Sequence, residues 1–292
     1  MNIKQEDINQ ILKLLNLKNI LNYQLISNSF GINCLKILIK DNKKYIVKYN
    51  TNKNQKFNSI LAEIKNLIFL RENNLNFFPK IKTYDKKYLI IDYLDNNNRQ
   101  PSSTNYDFLE SVIKIHSKIS DTYGFNFNTQ IGGLEKINTI DTSWVNFFRD
   151  KRLFYIFDLI NKQNLIDMDM CLKIENLIKK IDSFIPNSPK PRLLHGDLWE
   201  GNILFSNKKF VGFIDPGSFF GHNEMEIAYL RWFNPSFIDE DFAKKYNNFI
   251  NIDKNYYDYE PLYQLYYSLL NIYLWDTSYI NDSKNLLERL KI

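Results

Sequence analysis

Read on its own, the sequence predicts an α+β fold in two lobes, a small antiparallel sheet with one main helix followed by a larger, mostly helical lobe. Three observations predict it. Short apolar or alternating runs at 35–39, 45–49 and 88–93 have the length and period of strands. Between the second and third lies a helical stripe at 58–72, carried by Leu61, Ile64, Leu67, Ile68 and Leu70. Beyond a polar stretch at 95–101 that ends in Pro101, apolar residues recur at helical spacing over most of the remaining chain.

Taken in order, residues 1–17 carry apolar residues at helical spacing among Lys4, Glu6, Asp7 and Lys13, without a secretory apolar stretch and cleavage site. Asp41-Asn42 marks a hairpin turn between the first two strands. The polar stretch reads as a hinge, which divides the chain into a lobe at 1–94 and a lobe at 95–292. Helices are expected in the second lobe at 106–120, 144–160, 170–184, 224–232, 239–249 and 261–275. Its middle is the exception: Pro186, Pro189 and Pro191 end a helix, Leu193-Leu194 leads into a loop, and two short strands follow at 203–205 and 210–214. There is no internal repeat.

Composition narrows the class. With 292 residues and 44% hydrophobic content, the chain can bury a substantial core. The net charge of +5 is spread over scattered lysines, which gives no basic stripe for nucleic acid. No apolar run approaches the roughly 20 residues that span a bilayer. Cys34 and Cys171 lie far apart with no His or Cys at metal spacing, which fits two free thiols in a reducing compartment and no zinc site. A cytoplasmic monomer is the expectation, with no nucleic-acid or membrane partner.

The segment from Leu194 to Asn202, His-Gly-Asp-Leu-Trp-Glu-Gly-Asn after its leucine, carries the chemistry together with Asp215. Phosphoryl transfer needs a carboxylate to orient the acceptor hydroxyl and hard oxygen ligands for magnesium on the nucleotide phosphates. Asp197, Asn202 five residues on, and Asp215 at the end of the next strand pair supply that set. The plainer reading, a turn at His195-Gly196-Asp197 and a strand cap at Asp215, leaves their joint spacing unexplained.

This arrangement resembles the protein-kinase-like fold in its aminoglycoside-phosphotransferase branch, whose catalytic loop reads His-Gly-Asp. The resemblance implies ATP and Mg2+ as cofactors, Asp197 as catalytic base, and Asn202 and Asp215 as magnesium ligands. It also requires a strand lysine paired with a helix glutamate. Lys48 shares a strand face with Ile46, and Glu63 sits between Ile60 and Leu67, where an unpaired carboxylate would be costly. The phosphate-covering loop falls at Ser27-Asn28-Ser29-Phe30-Gly31-Ile32-Asn33, with Ser29 and Gly31 as phosphate contacts and only one glycine. No Walker motif occurs. Adenine is expected against the hinge backbone between Asp92 and Leu94.

Within that fold the wording is similar to the fructosamine kinase and ketosamine-3-kinase (protein-ribulosamine 3-kinase-like) family over nearly the whole chain. His195 to Asn202 resembles its His-Gly-Asp-Leu-Trp-Ser-Gly-Asn. Asp215 to Glu226 resembles its Asp-Pro-Ala-x-x-Tyr-Gly-His-x-Glu segment, and Phe147-Phe148 and Tyr263-Gln264-Leu265-Tyr266 match as well. Glu200, Gly217 and Phe220 depart from the family's Ser, Ala and Tyr. The resemblance implies transfer of the γ-phosphate to the sugar O3 of a ribulosamine or fructosamine, free or protein-bound, and release of the amine from the product. It places Trp199 against the sugar and His222 and Glu224 at its polar groups or amine. Glu226 and His195 would support the catalytic loop, with helix capping the plainer role for Glu226. His116 reads as a core histidine, and Cys34 borders the phosphate loop, where thiol oxidation would impair nucleotide binding. Two other readings stay open: a kinase of the same fold acting on choline, an aminoglycoside or homoserine, and an inactive nucleotide-binding protein.

Overall fold

The computed structural model describes residues 3–51 and 56–292. Its first elements are α1 (Gln5–Leu15), β1 (Asn22–Ser29), β2 (Ile32–Leu38), β3 (Lys44–Asn50), α2 (Ser59–Glu72), β4 (Ile81–Tyr84) and β5 (Tyr88–Asp92). The strands form one antiparallel sheet in the order β1-β2-β3-β5-β4. Strand alternation sorts its two faces. Leu35, Ile37, Val47, Tyr49, Tyr88 and Ile90 pack with Ile11 of α1, whose full burial contributes roughly 1.5–3 kcal/mol. Leu89 and Ile91 turn the other way, toward Ile60, Ile64 and Leu67 of α2, and Lys48 shares that side. The turn at Asp41-Asn42 is present, both residues adopting positive φ (61° and 57°).

Residues 93–105 form no helix or strand. Beyond them come α3 (Tyr106–His116), β6 (Thr129–Ile131), β7 (Leu134–Lys136), α4 (Trp144–Phe148), α5 (Phe154–Lys162), α6 (Met168–Lys179), β8 (Arg192–Leu194), β9 (Ile203–Ser206), β10 (Lys209–Phe213), β11 (Phe219–Gly221), α7 (Asn223–Phe233), α8 (Phe242–Asn247), α9 (Tyr256–Leu274) and α10 (Ile280–Arg289). Three two-stranded ladders, β6-β7, β8-β11 and β9-β10, sit among these helices. Among the described residues no helix is long and apolar enough to cross a membrane.

Several elements differ from expectation. The continuous helix expected at 144–160 is interrupted by a wide turn at Arg149–Leu153. There Arg152 is buried, its guanidinium over the rings of Phe147 (4.6 Å) and Phe219 (4.1 Å) and donating to Ile137 O (2.7 Å) and Asn138 Oδ1 (2.7 Å). The last long helix begins at Tyr256, so Pro261 lies inside it and does not open it. The helices expected at 106–120, 170–184 and 239–249 are shorter, and β1, β4, β6, β7, β8, β11 and α10 join the expected set.

Candidate active site

The β8-β11 ladder, with Leu194 opposite Phe219, brings the loop after β8 beside the loop before β11. Backbone bonds tie the two: Gly217 N–H donates to His195 O (2.9 Å) and Ile214 N–H to Asn202 O (3.0 Å). Gly196 has φ +86°, and a Cβ there would stand 2.1 Å from the Gly217 carbonyl oxygen, so the approach requires glycine. Asp215 itself adopts φ +56°, a conformation uncommon outside glycine and concentrated at functional sites.

Glu226, in the first turn of α7, braces this loop from below. Its carboxylate accepts from His195 N–H (2.9 Å), Gly196 N–H (2.6 Å) and His116 Nε2 (3.0 Å), so its bonds go to another segment and do not cap its own helix. Burial alone would raise this carboxyl. The His116 bond, the nearby His195 ring and the Gly196 N–H together hold it below the usual glutamate range. His195 is also buried; its Nδ1 accepts from Asp197 N–H (3.2 Å) and its Nε2 donates to Ile214 O (3.0 Å). Burial lowers its pKa to about 4 and keeps the ring neutral. His116 is a core histidine, as expected, and has this bracing partner as well.

Above the brace, Asn202 Nδ2 donates to Asp197 O (2.8 Å) and Asp197 Oδ2 (3.1 Å), so the amide oxygen is the atom with lone pairs left to offer. Burial raises the Asp197 carboxyl to about 7, against the opposing charge of Lys136. Lys48 Nζ lies 2.7 Å from Glu63 Oε1 and also pairs with Asp215. Burial disfavours its charge, but Asp215 and Glu63 outweigh that and hold the amine above the usual lysine range.

Three cavities meet at this cluster. The largest, about 480 Å³, runs between Ile46, Ile91, Asp92, Leu94, Leu204 and Ile214, where the sequence places adenine. A second, about 260 Å³, is lined by Ser29, Lys48, Glu63, Asp197, Asn202 and Asp215. The third, about 250 Å³, has five aromatic side chains in its wall, Trp199, Tyr229, Phe233, Trp275 and Tyr279, and Asp197 lines it as well. Gly201 allows Trp199 to lie as it does, since a Cβ there would stand 2.4 Å from the indole. Gly31 lines none of the three; its carbonyl accepts from Thr51 N–H (2.7 Å). Cys34 borders the first two, and burial pushes its thiol up to about 12, which disfavours the thiolate that oxidation needs.

His222 and Glu224 line none of these three cavities, contrary to the expectation that they hold the substrate. Both are buried and spent on one another's neighbourhood. His222 Nδ1 bonds Tyr263 Oη (2.8 Å), and Glu224 accepts from Asp253 N–H (2.7 Å) and from the Tyr259 hydroxyl. Tyr229, Trp275 and Asn271, by contrast, line the third cavity with Trp199 and Asp197. The structure also brings Lys136 behind the catalytic loop. The Lys136 ammonium is buried and donates to Gly196 O (2.7 Å) and Gly217 O (3.1 Å), one carbonyl from each loop. Burial and the Arg152 guanidinium push this amine well below the usual lysine range. The only sequence sign of it is a lysine two residues beyond the Gly132-Gly133-Leu134 turn.

The profile of the family described as fructosamine kinase matches residues 7–292. The chain belongs to this family. Among the relatives of this fructosamine kinase family member, a protein named a probable ketoamine kinase from Enterococcus faecium is 28% identical over 214 residues, covering 71% of this chain and 73% of its own. A chloroplastic protein-ribulosamine 3-kinase of Arabidopsis thaliana is 27% identical over 208 residues, covering 69% and 61%. The crystal structure of a Thermobifida fusca protein assigned to the fructosamine-3-kinases superposes with a TM-score of 0.83 at 18% identity, covering 97% and 98%, a likeness of fold. As a fructosamine kinase family member the chain is an ATP-dependent enzyme that phosphorylates a hydroxyl.

Proposed function

We propose that this fructosamine kinase family member transfers the γ-phosphoryl of ATP to the sugar O3 of ketosamines, ribulosamine or fructosamine adducts of lysine or free amines, with decomposition of the product freeing the amine. The observation that carries the reading is the position of Asp197, in the wall shared by a polar cavity beside Lys48 and an aromatic-walled cavity beside Trp199. An acceptor hydroxyl between the two would face Asp197, which accepts its proton, while Lys48 bears on the phosphate side and Glu63 fixes the lysine.

Magnesium fits the donor set. The polar cavity holds three carboxylates, Glu63, Asp197 and Asp215, against one ammonium, Lys48. A hard divalent cation offsets that excess and takes oxygen ligands of the kind Asp215 and Asn202 offer. When bound it would neutralise charge on the transferring phosphoryl. Trp199 lies along the acceptor wall, a stacking surface for a sugar. Asp92 and Leu94 would face adenine, and Ser29 the phosphates. The proposed setting is cytoplasmic, with the protein acting as a monomer.

The test is purified protein with MgATP and ribulosyl-lysine or fructosyl-lysine, with ADP release measured and the phosphorylated product followed by phosphorus NMR. Turnover that disappears in Asp197→Asn supports the reading. Release of ADP with choline or an aminoglycoside, and none with either ketosamine, overturns it.

A further inference from the structure

The hairpin tip between β1 and β2, where a phosphate-covering loop belongs, is seated by glycines from a different part of the chain. At the tip Phe30 and Gly31 have φ of +50° and +74°. The Phe30 ring meets Trp275, just past the end of α9, edge to face, with centroids 5.3 Å apart and planes at 79°. On its other side lies the turn between β6 and β7. A Cβ on Gly133 would stand 2.5 Å from Phe30 Cβ, and one on Gly132 would stand 3.0 Å from Leu274 Cδ1 and 3.7 Å from Phe30 Cε2. Gln130 Oε1 fixes that turn by accepting from Gly133 N–H (2.8 Å). Three segments distant in sequence therefore close on one aromatic ring. Gly132 and Trp275 each line both the polar cavity beside Lys48 and the aromatic cavity beside Trp199.

We propose that Phe30 and Trp275 form a latch that couples the phosphate-donor site to the acceptor site. Phe30 is a positioning residue: it sits on the sheet lobe and acts through Trp275. An acceptor that orders Trp275 seats the phosphate loop, and by reciprocity a seated loop tightens the acceptor cavity. With Trp275 held by Phe30, the wall that the two cavities share stays in place and limits the entry of water between them. Loosening it lets water compete as acceptor: the bond from the γ-phosphorus to the β–γ bridging oxygen breaks, the water oxygen bonds to phosphorus, and ADP, phosphate and a proton leave. The inference rests on the kinase activity and not on the identity of the acceptor.

Two measurements test it. The first needs no acceptor: MgADP affinity of the wild type, Phe30→Ala, Trp275→Ala and the double variant, by calorimetry. One edge-to-face pair predicts a loss of about three- to tenfold in each single variant, and the double variant no weaker than the weaker single one. Losses that multiply in the double variant, or singles that bind as the wild type does, overturn the latch. The second uses ribulosyl-lysine, once the wild type has been shown to phosphorylate it, and compares ADP released with ketosamine phosphorylated. The wild type should give equal amounts, Phe30→Ala an excess of ADP, and Phe30→Tyr, which keeps the ring, should restore equality. Equal amounts in Phe30→Ala, or no restoration in Phe30→Tyr, overturns it. A wild type inert toward ketosamines would remove the substrate assignment alone and leave the first measurement decisive for the latch.

Discussion

Replacing Glu226 with glutamine changes one oxygen to an amide nitrogen at a site where three donors converge. His195 N–H, Gly196 N–H and His116 Nε2 all point at this carboxylate, at 2.9, 2.6 and 3.0 Å. Glutamine keeps one acceptor oxygen, so its NH2 must face at least one of those donors inside a fully buried site. One orphaned buried donor costs about 1–3 kcal/mol, and loss of the charge from the remaining bonds brings the total to about 3–5 kcal/mol. For a chain of this size that lowers the melting temperature by about 10 °C. The displaced backbone belongs to the catalytic loop, so kcat should fall by about ten- to a hundredfold while MgADP affinity changes little. The sign with pH follows from the depressed folded pKa of Glu226. Its stabilisation is complete above the ordinary glutamate range near pH 4.3 and is lost as pH falls through the lower folded value, so the gap between wild type and variant should narrow only below about pH 4.3. Thermal melts at pH 7 and pH 4, with steady-state kinetics, check this. A variant with wild-type melting and wild-type kcat refutes the bracing role.

Three further outcomes follow from the same geometry. Gly201→Ala puts a methyl into the Trp199 ring, and because Gly201 also lines the adenine-side cavity, the acceptor KM and the ATP KM should both rise severalfold, read by steady-state kinetics in both substrates. Glu224→Gln, far from the acceptor cavity, should lower stability by about 1–3 kcal/mol in urea titrations and leave the acceptor KM alone. His195 has its pKa lowered from 6.5 to about 4 by burial, so stability present above pH 6.5 is lost as pH falls toward 4, by roughly 3 kcal/mol; His195→Asn should flatten that slope in urea titrations across the interval.

The sequence disclosed the parts of the fold whose apolar pattern is long enough to read. β2, β3 and α2 announced themselves by the spacing of their apolar residues, and β5 by a short continuous apolar run, because both of its faces are packed. β1 did not, because six of its eight residues are exposed and its apolar residues show no alternation. The helix at 144–160 read as continuous because a widened turn keeps helical spacing nearly intact while turning Arg152 inward. At the site, the convergence of Asp197 and Asn202 with Asp215, on two loops separated by the β9-β10 hairpin, was legible from spacing, and the Lys48–Glu63 pair from strand and helix faces. Lys136, Trp275 and Phe30 were not, because their meaning depends on which distant segments the fold brings together. His222 and Glu224 show the converse: a resemblance in wording carried them to the acceptor, and the tyrosines of α9 claim them.

Lys136 holds a carbonyl from each of the two functional loops. The backbone of the loop that carries Asp197 and that of the loop that carries Asp215 are thereby joined through one buried side chain. The aromatic cavity can be reshaped at Tyr229 or Phe233, which belong to neither loop and do not line the cavity beside Lys48.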